Sequence, residues 1–347
     1  MDKIAFIFPG QGSQYVGMGK DFYENFEESR KIFDEANEVL NMNLKEICFN
    51  GSEEDLRKTE NTQPAILTTS IAILKALESM GIDCEYTAGL SLGEYSSLVM
   101  SGSLEFKDAI QLVKERGKFM QEAVPLGLGG MAAILGLDRE KIPAIIENTK
   151  QYGIVEVANY NSPEQIVLSG ELKAIEAACD EAVKAGAKKA VPLSVSAPFH
   201  SSLLLSAGER LENELSKIKI KDAKKKFISN VDAKLISCKH EIKHKLVNQV
   251  SNSVLWQQSV ELMINDGVVT FIELGPGKSL SGFVKRIGKS MGKEVKAYSI
   301  NDIDSFEETL SRVKAFAPIG EDHNLELRKN LGKSKQAIEK GRKPRWA

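Results

Sequence analysis

Residues 86–100 read YTAGLSLGEYSSLVM. Four residues of strand character, Tyr86 to Gly89, run into Gly89-Leu90-Ser91-Leu92-Gly93, and a helical run follows from Glu94 to Met100. Strand, sharp turn and helix with a serine at the apex is the setting of a nucleophile elbow. Such a turn strains the serine backbone and pushes Oγ into the open. Glycines two residues to either side let strand and helix approach closely. The helix N-terminus then aims N–H groups and the positive end of its dipole at a developing oxyanion. The plainer alternative is a glycine-rich turn ahead of a buried helix.

Outward from the elbow, the chain alternates strand and helix. Residues 3–8 (KIAFIF) read as a buried strand stopped by Pro9-Gly10. Residues 20–41 carry a helical apolar stripe of Phe22, Phe26, Ile32, Phe33, Ala36 and Leu40. Residues 64–80 read as a buried helix with Pro64 in its first turn and Gly81 beyond its end. This alternation predicts a parallel sheet covered on both faces. From Gly129 the rhythm changes. Strand 130–136, helix 138–150, strands 154–159 and 165–169, helix 171–186 and strand 188–195 give βαββαβ, the ferredoxin-like order. After Pro198 the larger rhythm resumes, with helices at 202–216, 241–252, 256–266 and 278–291 and strands at 226–230 and 268–273. The expected fold class is α/β. A large parallel-sheet domain, 1–127 with 198–314, is interrupted by a small ferredoxin-like domain, 128–197.

Composition narrows the function classes. The 347 residues are 42% hydrophobic and 27% charged, which excludes a disordered or fibrous chain. The net charge of -2 gives no reason to expect a nucleic-acid or membrane-surface protein. No apolar run approaches a bilayer span, and Ile4 to Phe8 is too short for a signal peptide. Cys48, Cys84, Cys179 and Cys238 are scattered, without a CxxC pair, as in a reduced cytoplasmic chain with inert thiols. The charge is uneven: residues 318–347 carry +4 and residues 1–317 carry -6. The basic extension, 315–347, is expected to be a separate unit, loosely attached and dispensable.

A nucleophilic serine needs a base. Of four histidines, His323 lies in the charged extension, and His240 and His244 lie in a polar stretch. His200 ends the apolar segment VPLSVSAPFH and is the best candidate for the base on Ser91. No acid between the two stands out as a third member, so a backbone carbonyl or an amide is left to orient the imidazole. His240-Glu241-Ile242-Lys243-His244 matches HExxH, but its flanks are polar and basic and no convincing third ligand follows, so no metal is expected. Pro9-Gly10-Gln11-Gly12-Ser13-Gln14 misses the dinucleotide fingerprint, with Tyr15 where the third glycine belongs. Its loop can still offer backbone N–H groups beside Ser91, and Gln11 is the candidate second oxyanion donor. Arg116, on a helix after the elbow, can hold a carboxylate through two parallel hydrogen bonds. On spacing alone it reads as an ordinary solvated face, as do Lys285, Arg286, Lys289 and Lys293.

Seven motifs occur together and in order: PGQGSQ at 9–14, NTQPA at 61–65, GLSLGEYS at 89–96, RGKFMQEA at 116–123, NSPEQIVLSG at 161–170, APFHS at 197–201 and ELGPGKSL at 273–280. From residue 1 to about 314, the chain closely resembles bacterial malonyl-CoA:acyl carrier protein transacylases. The resemblance implies an α/β-hydrolase-like large domain with an inserted ferredoxin-like small one. It implies Ser91 as nucleophile, His200 as base, and the backbone N–H groups of Gln11 and Leu92 as oxyanion hole. Arg116 would bind the malonyl carboxylate, and the backbone carbonyl of Gln249 would orient the histidine. Gln63 and Asn161 match pocket-lining positions. Leu90 departs from the histidine that many members carry beside the serine. The implied partners are malonyl-CoA and acyl carrier protein, docked on the basic residues at 285–293 or on Lys188-Lys189. No cofactor or metal, a cytoplasmic location and a monomer are expected. A serine esterase or thioesterase, and a free-standing acyltransferase of a polyketide synthase, are the competing readings.

Overall fold

The computed structural model describes residues 2–195 and 197–313. The basic extension and His323 lie outside the described residues.

Strand β1 (Lys3–Phe8) runs through the middle of the larger sheet, and its side chains alternate between two cores. Phe6 and Phe8 enter one apolar cluster, Ala5 and Ile7 the other. That period of two is what a strand buried on both faces requires. With β2 (Tyr86–Gly89), β3 (Gly129–Leu135), β4 (Val155–Ser162), β5 (Gln165–Glu171), β6 (Lys189–Pro192), β7 (Lys226–Ile228), β8 (Leu235–Ile236), β9 (Val268–Leu274) and β10 (Lys296–Ile300), the strands form two sheets. The larger has the order β10-β9-β1-β2-β7-β8. Its first five members are parallel, and only the two-residue β8 runs antiparallel. The smaller has the order β4-β5-β3-β6 and is antiparallel throughout, which is the ferredoxin-like arrangement. The expected α/β class is therefore met, with the small sheet drawn wholly from the middle of the chain.

The small sheet also uses its two faces differently. Ala132 and Ile134 pack with Ile166, Leu168, Ile175 and Ala178 beneath their own helices. Met131, Ala133 and Val167 face the other way and join the core of the larger unit. Among the described residues one isolated β-bridge, Asn159 to Val254, links β4 to the larger unit. The Tyr160 N–H donates to the Val254 carbonyl (3.0 Å) and the Val254 N–H to the Ala158 carbonyl (2.8 Å).

Several elements differ from the sequence expectation. The run 20–41 is two helices, Lys20–Asn25 and Glu27–Leu40. Phe26 between them is extended, which places its buried ring against Phe22 and Phe306, with centroids 5.8 and 5.2 Å away. Pro64 is not in a first turn: the helix is Thr59–Ser79, with the proline inside it. Burial of Thr59, Thr62 and Gln63 extends this helix past the position the proline would choose. The short helices Leu44–Phe49 and Glu53–Arg57, strands β8 and β10 and the helix Ile303–Val313 are additional. Among the described residues no helix is long and apolar enough to cross a membrane.

The elbow depends on close backbone approach at both glycines. A Cβ on Gly89 would stand 2.0 Å from the Gly93 carbonyl carbon, and one on Gly93 would stand 2.0 Å from the Phe8 carbonyl oxygen. Real side chains do not tolerate such contacts, and the neighbours are backbone, so β1 would have to move. Gly93→Ala should therefore destabilise the protein by at least about 2 kcal/mol, seen as a lower denaturant midpoint. An unchanged midpoint would contradict the packing described here.

Candidate active site

Ser91 sits between β2 and the helix Gly93–Met100 with φ at 52°, in the left-handed region that a residue with a Cβ seldom occupies. Asn230, just after β7, holds it there. Asn230 Oδ1 accepts from the Ser91 N–H (2.7 Å) and Asn230 Nδ2 donates to the Gly89 carbonyl (2.7 Å). One side-chain amide thus clamps both ends of the turn.

His200 is also left-handed, at φ 59°, and buried. Its Nε2 lies 2.7 Å from Ser91 Oγ and its Nδ1 lies 2.8 Å from the backbone carbonyl of Gln249. A carbonyl only accepts, so Nδ1 carries the hydrogen and the lone pair of Nε2 faces the serine. Burial, and then the positive charge of Arg116, pull His200 down to about 4. The imidazole is therefore neutral near pH 7 and free to take a proton.

Arg116 comes from the helix Phe106–Glu122 and is only 1% exposed. The solvated face allowed by its spacing is thereby excluded. Its Nη1 donates to Gln63 Oε1 (2.7 Å), and its Nη2 donates to Gln249 Oε1 (2.9 Å) and Ser91 Oγ (3.2 Å). The guanidinium lies 5.3 Å from the Tyr95 ring centroid. Among the described residues it forms no salt bridge, and its Nε finds no hydrogen-bond partner. Arg116 is thus a buried cation held by neutral groups beside a nucleophile.

Ser91, His200, Arg116, Gln11, Leu92, Gln63 and Asn161 all line one cavity of about 140 Å³. Phe199, Met120, Met131 and Val167 supply apolar wall. Leu92 caps the N-terminus of the elbow helix. Asn161 donates to Gln165 Oε1 (3.2 Å), while its own Oδ1 is buried and unpartnered among the described residues. Gln249 lies behind this lining, where its Nε2 donates to the Ser91 carbonyl (2.9 Å) and to Glu94. The HExxH residues His240, Glu241 and His244 are exposed on the helix Lys239–Gln249, and His244 contacts Asn248 at 3.0 Å. That helix bears on the site through its last residue, Gln249.

The family description "Acyl transferase domain" matches residues 5–311. A malonyl CoA-acyl carrier protein transacylase of Bacillus subtilis (strain 168) is 47% identical over 90% of this chain and 98% of its own length. The chain belongs to the malonyl CoA-acyl carrier protein transacylase family. The solved transacylase of Clostridium perfringens superposes with a TM-score of 0.85 at 50% identity, covering 90% of this chain and 98% of that one. A further solved family member is a malonyl-transacylase in complex with a type II polyketide synthase acyl-carrier protein. It matches at 41% identity and a TM-score of 0.86, over 89% of this chain and 99% of that one.

Sequence reasoning missed Asn230 and the buried Glu94. Asn230 lies outside the quoted motifs and acts on the elbow across 139 positions, whereas Glu94 lies inside GLSLGEYS but its partners Asn230 and Gln249 are 136 and 155 positions away. The paired Ser91 and His200 predict a specific pH profile. Labelling of Ser91 by a serine-directed fluorophosphonate should hold level from about pH 7 to about pH 5, then fall as pH passes through about 4. His200→Ala should slow labelling by at least about 100-fold. A midpoint near the ordinary histidine value would contradict the buried, carbonyl-held imidazole.

Proposed function

We propose that this chain transfers a malonyl group from malonyl-CoA to the phosphopantetheine thiol of acyl carrier protein, through a malonyl ester on Ser91. The reaction supplies fatty-acid elongation. The observation that carries this reading is Arg116: a buried guanidinium without a carboxylate partner, 3.2 Å from the Ser91 hydroxyl. A neutral-ester hydrolase has no use for it, whereas a malonyl group brings the missing carboxylate to it.

In the first half-reaction Ser91 Oγ attacks the thioester carbonyl carbon and its proton passes to His200 Nε2. The developing oxyanion is held by the backbone N–H groups of Gln11 and Leu92, one such donor being worth about 10²–10³-fold in rate. The carbon–sulfur bond then breaks, and CoA leaves with the proton from His200. In the second half-reaction the carrier's thiol gives its proton to His200 and attacks the ester. Ser91 leaves and recovers the proton. Gln63 and Gln249 hold Arg116 in place, and Asn161 offers its free Oδ1 to the arm of the substrate. The residues that carry out these steps need no cofactor.

The same reading divides the chain into 1–127 with 198–314 as the catalytic domain and 128–197 as the insert. The separate membership of the two sheets supports that division. The four cysteines are unpaired, which suits a reducing compartment, and we place the reaction in the cytoplasm. Carrier proteins are acidic, and the basic residues read from the sequence are exposed: Lys285, Arg286 and Lys289 on the helix Ser279–Ser290, Lys293 just beyond it, and Lys188 and Lys189. Lys188, Lys278 and Arg286 line one cleft of about 490 Å³ between the small sheet and that helix. We assign the carrier dock to this side.

Brief exposure to malonyl-CoA should release CoA in a burst of one per site and add one malonyl group at Ser91, read by mass spectrometry. Arg116→Ala should shift preference from malonyl-CoA toward acetyl-CoA by at least about 100-fold, because its guanidinium is what the carboxylate meets. Steady release of CoA without an acceptor would mark a hydrolase instead, and an unchanged acyl preference would remove Arg116 from its role. Reversing the charge of Lys285 and Arg286 together should raise the KM for carrier protein about tenfold and leave the CoA burst intact. An unchanged KM would move the dock elsewhere.

A further inference from the structure

His200 holds its left-handed backbone just ahead of a helix that has no cap of its own. The 3-10 turn Ser202–Leu204 begins two residues on and runs into the helix Leu205–Lys217. Neither N-cap residue, Ser201 or Leu204, caps its helix with a side chain. Ser201 instead turns its Oγ back to the Pro198 carbonyl (2.7 Å). A helix start without an acceptor leaves its first N–H groups open.

The acceptor comes from the small sheet. Glu156 lies on β4 between Val155 and Val157, which pack beneath that sheet's own helices. Its carboxylate reaches the larger unit and spends both oxygens on one residue. Oε2 accepts from the Ser202 N–H (2.7 Å) and Oε1 from Ser202 Oγ (2.8 Å). An anion at a helix start also meets the positive end of the dipole. The arrangement parallels that of the nucleophile. Ser91 is left-handed and Asn230 clamps its turn with two bonds; His200 is left-handed and Glu156 clamps the residue two beyond it with two bonds. Glu156 and Ser202 are half-buried and line, with His200, a cleft of about 480 Å³. That cleft shares only His200 with the cavity around Ser91, so the clamp grips the base from outside the acyl pocket.

We propose that Glu156 is a positioning residue for the base: by capping the helix that follows His200, it keeps the imidazole at hydrogen-bond distance from Ser91 Oγ. The proposal rests on the reading of His200 as general base. The ring is tethered by the Gln249 carbonyl and the chain by Glu156, so the strained residue is held from two sides. Strain of this kind persists only while the surroundings over-determine it. Without Glu156 the segment 200–202 is free to relax its left-handed turn, and the imidazole withdraws from the serine. The small sheet thereby contributes to the catalytic geometry a contact made wholly outside the pocket.

The test measures fluorophosphonate labelling of Ser91 on the full chain at about pH 7. Glu156→Ala should slow labelling about tenfold, because a misplaced base is felt steeply. Glu156→Gln keeps an oxygen for the Ser202 N–H and an amide for its hydroxyl, and should label within about twofold of the wild type. In a His200→Ala background, Glu156→Ala should have no further effect, since the residue it positions is gone. A general structural role would slow labelling in both backgrounds. Ser202→Ala removes the hydroxyl bond alone and should show the same pattern at smaller size, so the test stands whether or not Glu156→Ala folds. Unchanged labelling in both variants overturns the proposal, as does equal slowing in the His200→Ala background. A loss in Glu156→Gln as large as in Glu156→Ala also overturns it, because charge rather than the paired hydrogen bonds would then be at work. A His200→Ala protein that labels as fast as the wild type would overturn the base assignment itself, a separate and distinguishable failure.

Discussion

The hydrogen bond from His200 to the Gln249 backbone carbonyl governs the electrostatics of the site. A carboxylate in that place would fix the same tautomer, but it would add a negative charge beside Arg116. Unit charges about 4 Å apart interact by about 4 kcal/mol at the effective dielectric of a protein. An acid orienting His200 would thus pair with Arg116 and compete with any anionic substrate. A carbonyl orients the ring without that charge. Burial and the charge of Arg116 then pull the histidine down to about 4 against the bond from Gln249, which leaves it neutral under ordinary conditions.

Strain at the elbow follows from the same economy. Ser91 and His200 both occupy the left-handed region, each at a cost of order 1–3 kcal/mol. Such strain persists only where the surroundings over-determine it. Here the two bonds of Asn230, the Gln249 amide on the Ser91 carbonyl and the glycine contacts at 89 and 93 all act on five consecutive residues. The strained turn brings the hydroxyl to the imidazole while the Ser91 N–H and carbonyl behind it both stay bonded.

The sequence made local features legible and long-range ones obscure. The elbow, β1 and the βαββαβ order each lie within short stretches, where periodicity and glycine placement carry the signal. The pairing of Ser91 with His200 could be read because histidines are scarce and only one ends an apolar segment. Arg116 could not be placed by spacing, since an arginine on an amphipathic helix reads as solvated until the fold buries it, and only the motif set suggested otherwise. Asn230 and Glu94 escaped altogether. They bond to each other across 136 positions, and Asn230 reaches Ser91 across 139. No local pattern encodes such a contact. Pro64 and Phe26 misled for the converse reason, because tertiary burial outweighed the local preference.

The small sheet is more than a cover, because the alternation along β4 partitions its side chains between two jobs. Asn159 and Asn161 face the cavity, while Tyr160 between them turns to the far side, where Arg139 lies 4.1 Å from its ring centroid. The register of β4 against β5 shifts on both sides of this segment, between Val157 and Asn159 and between Tyr160 and Ser162. A strand with period two has no intermediate setting: a slip of one residue would carry both amides away from the cavity and bring the phenol in. The bridge from Asn159 to Val254 fixes the register from the opposite side, using a segment just beyond Gln249. The chain that orients His200 therefore also aligns the strand that closes the pocket over it. The histidine, the arginine and the small sheet are therefore all held by one continuous stretch, Gln249 to Val254.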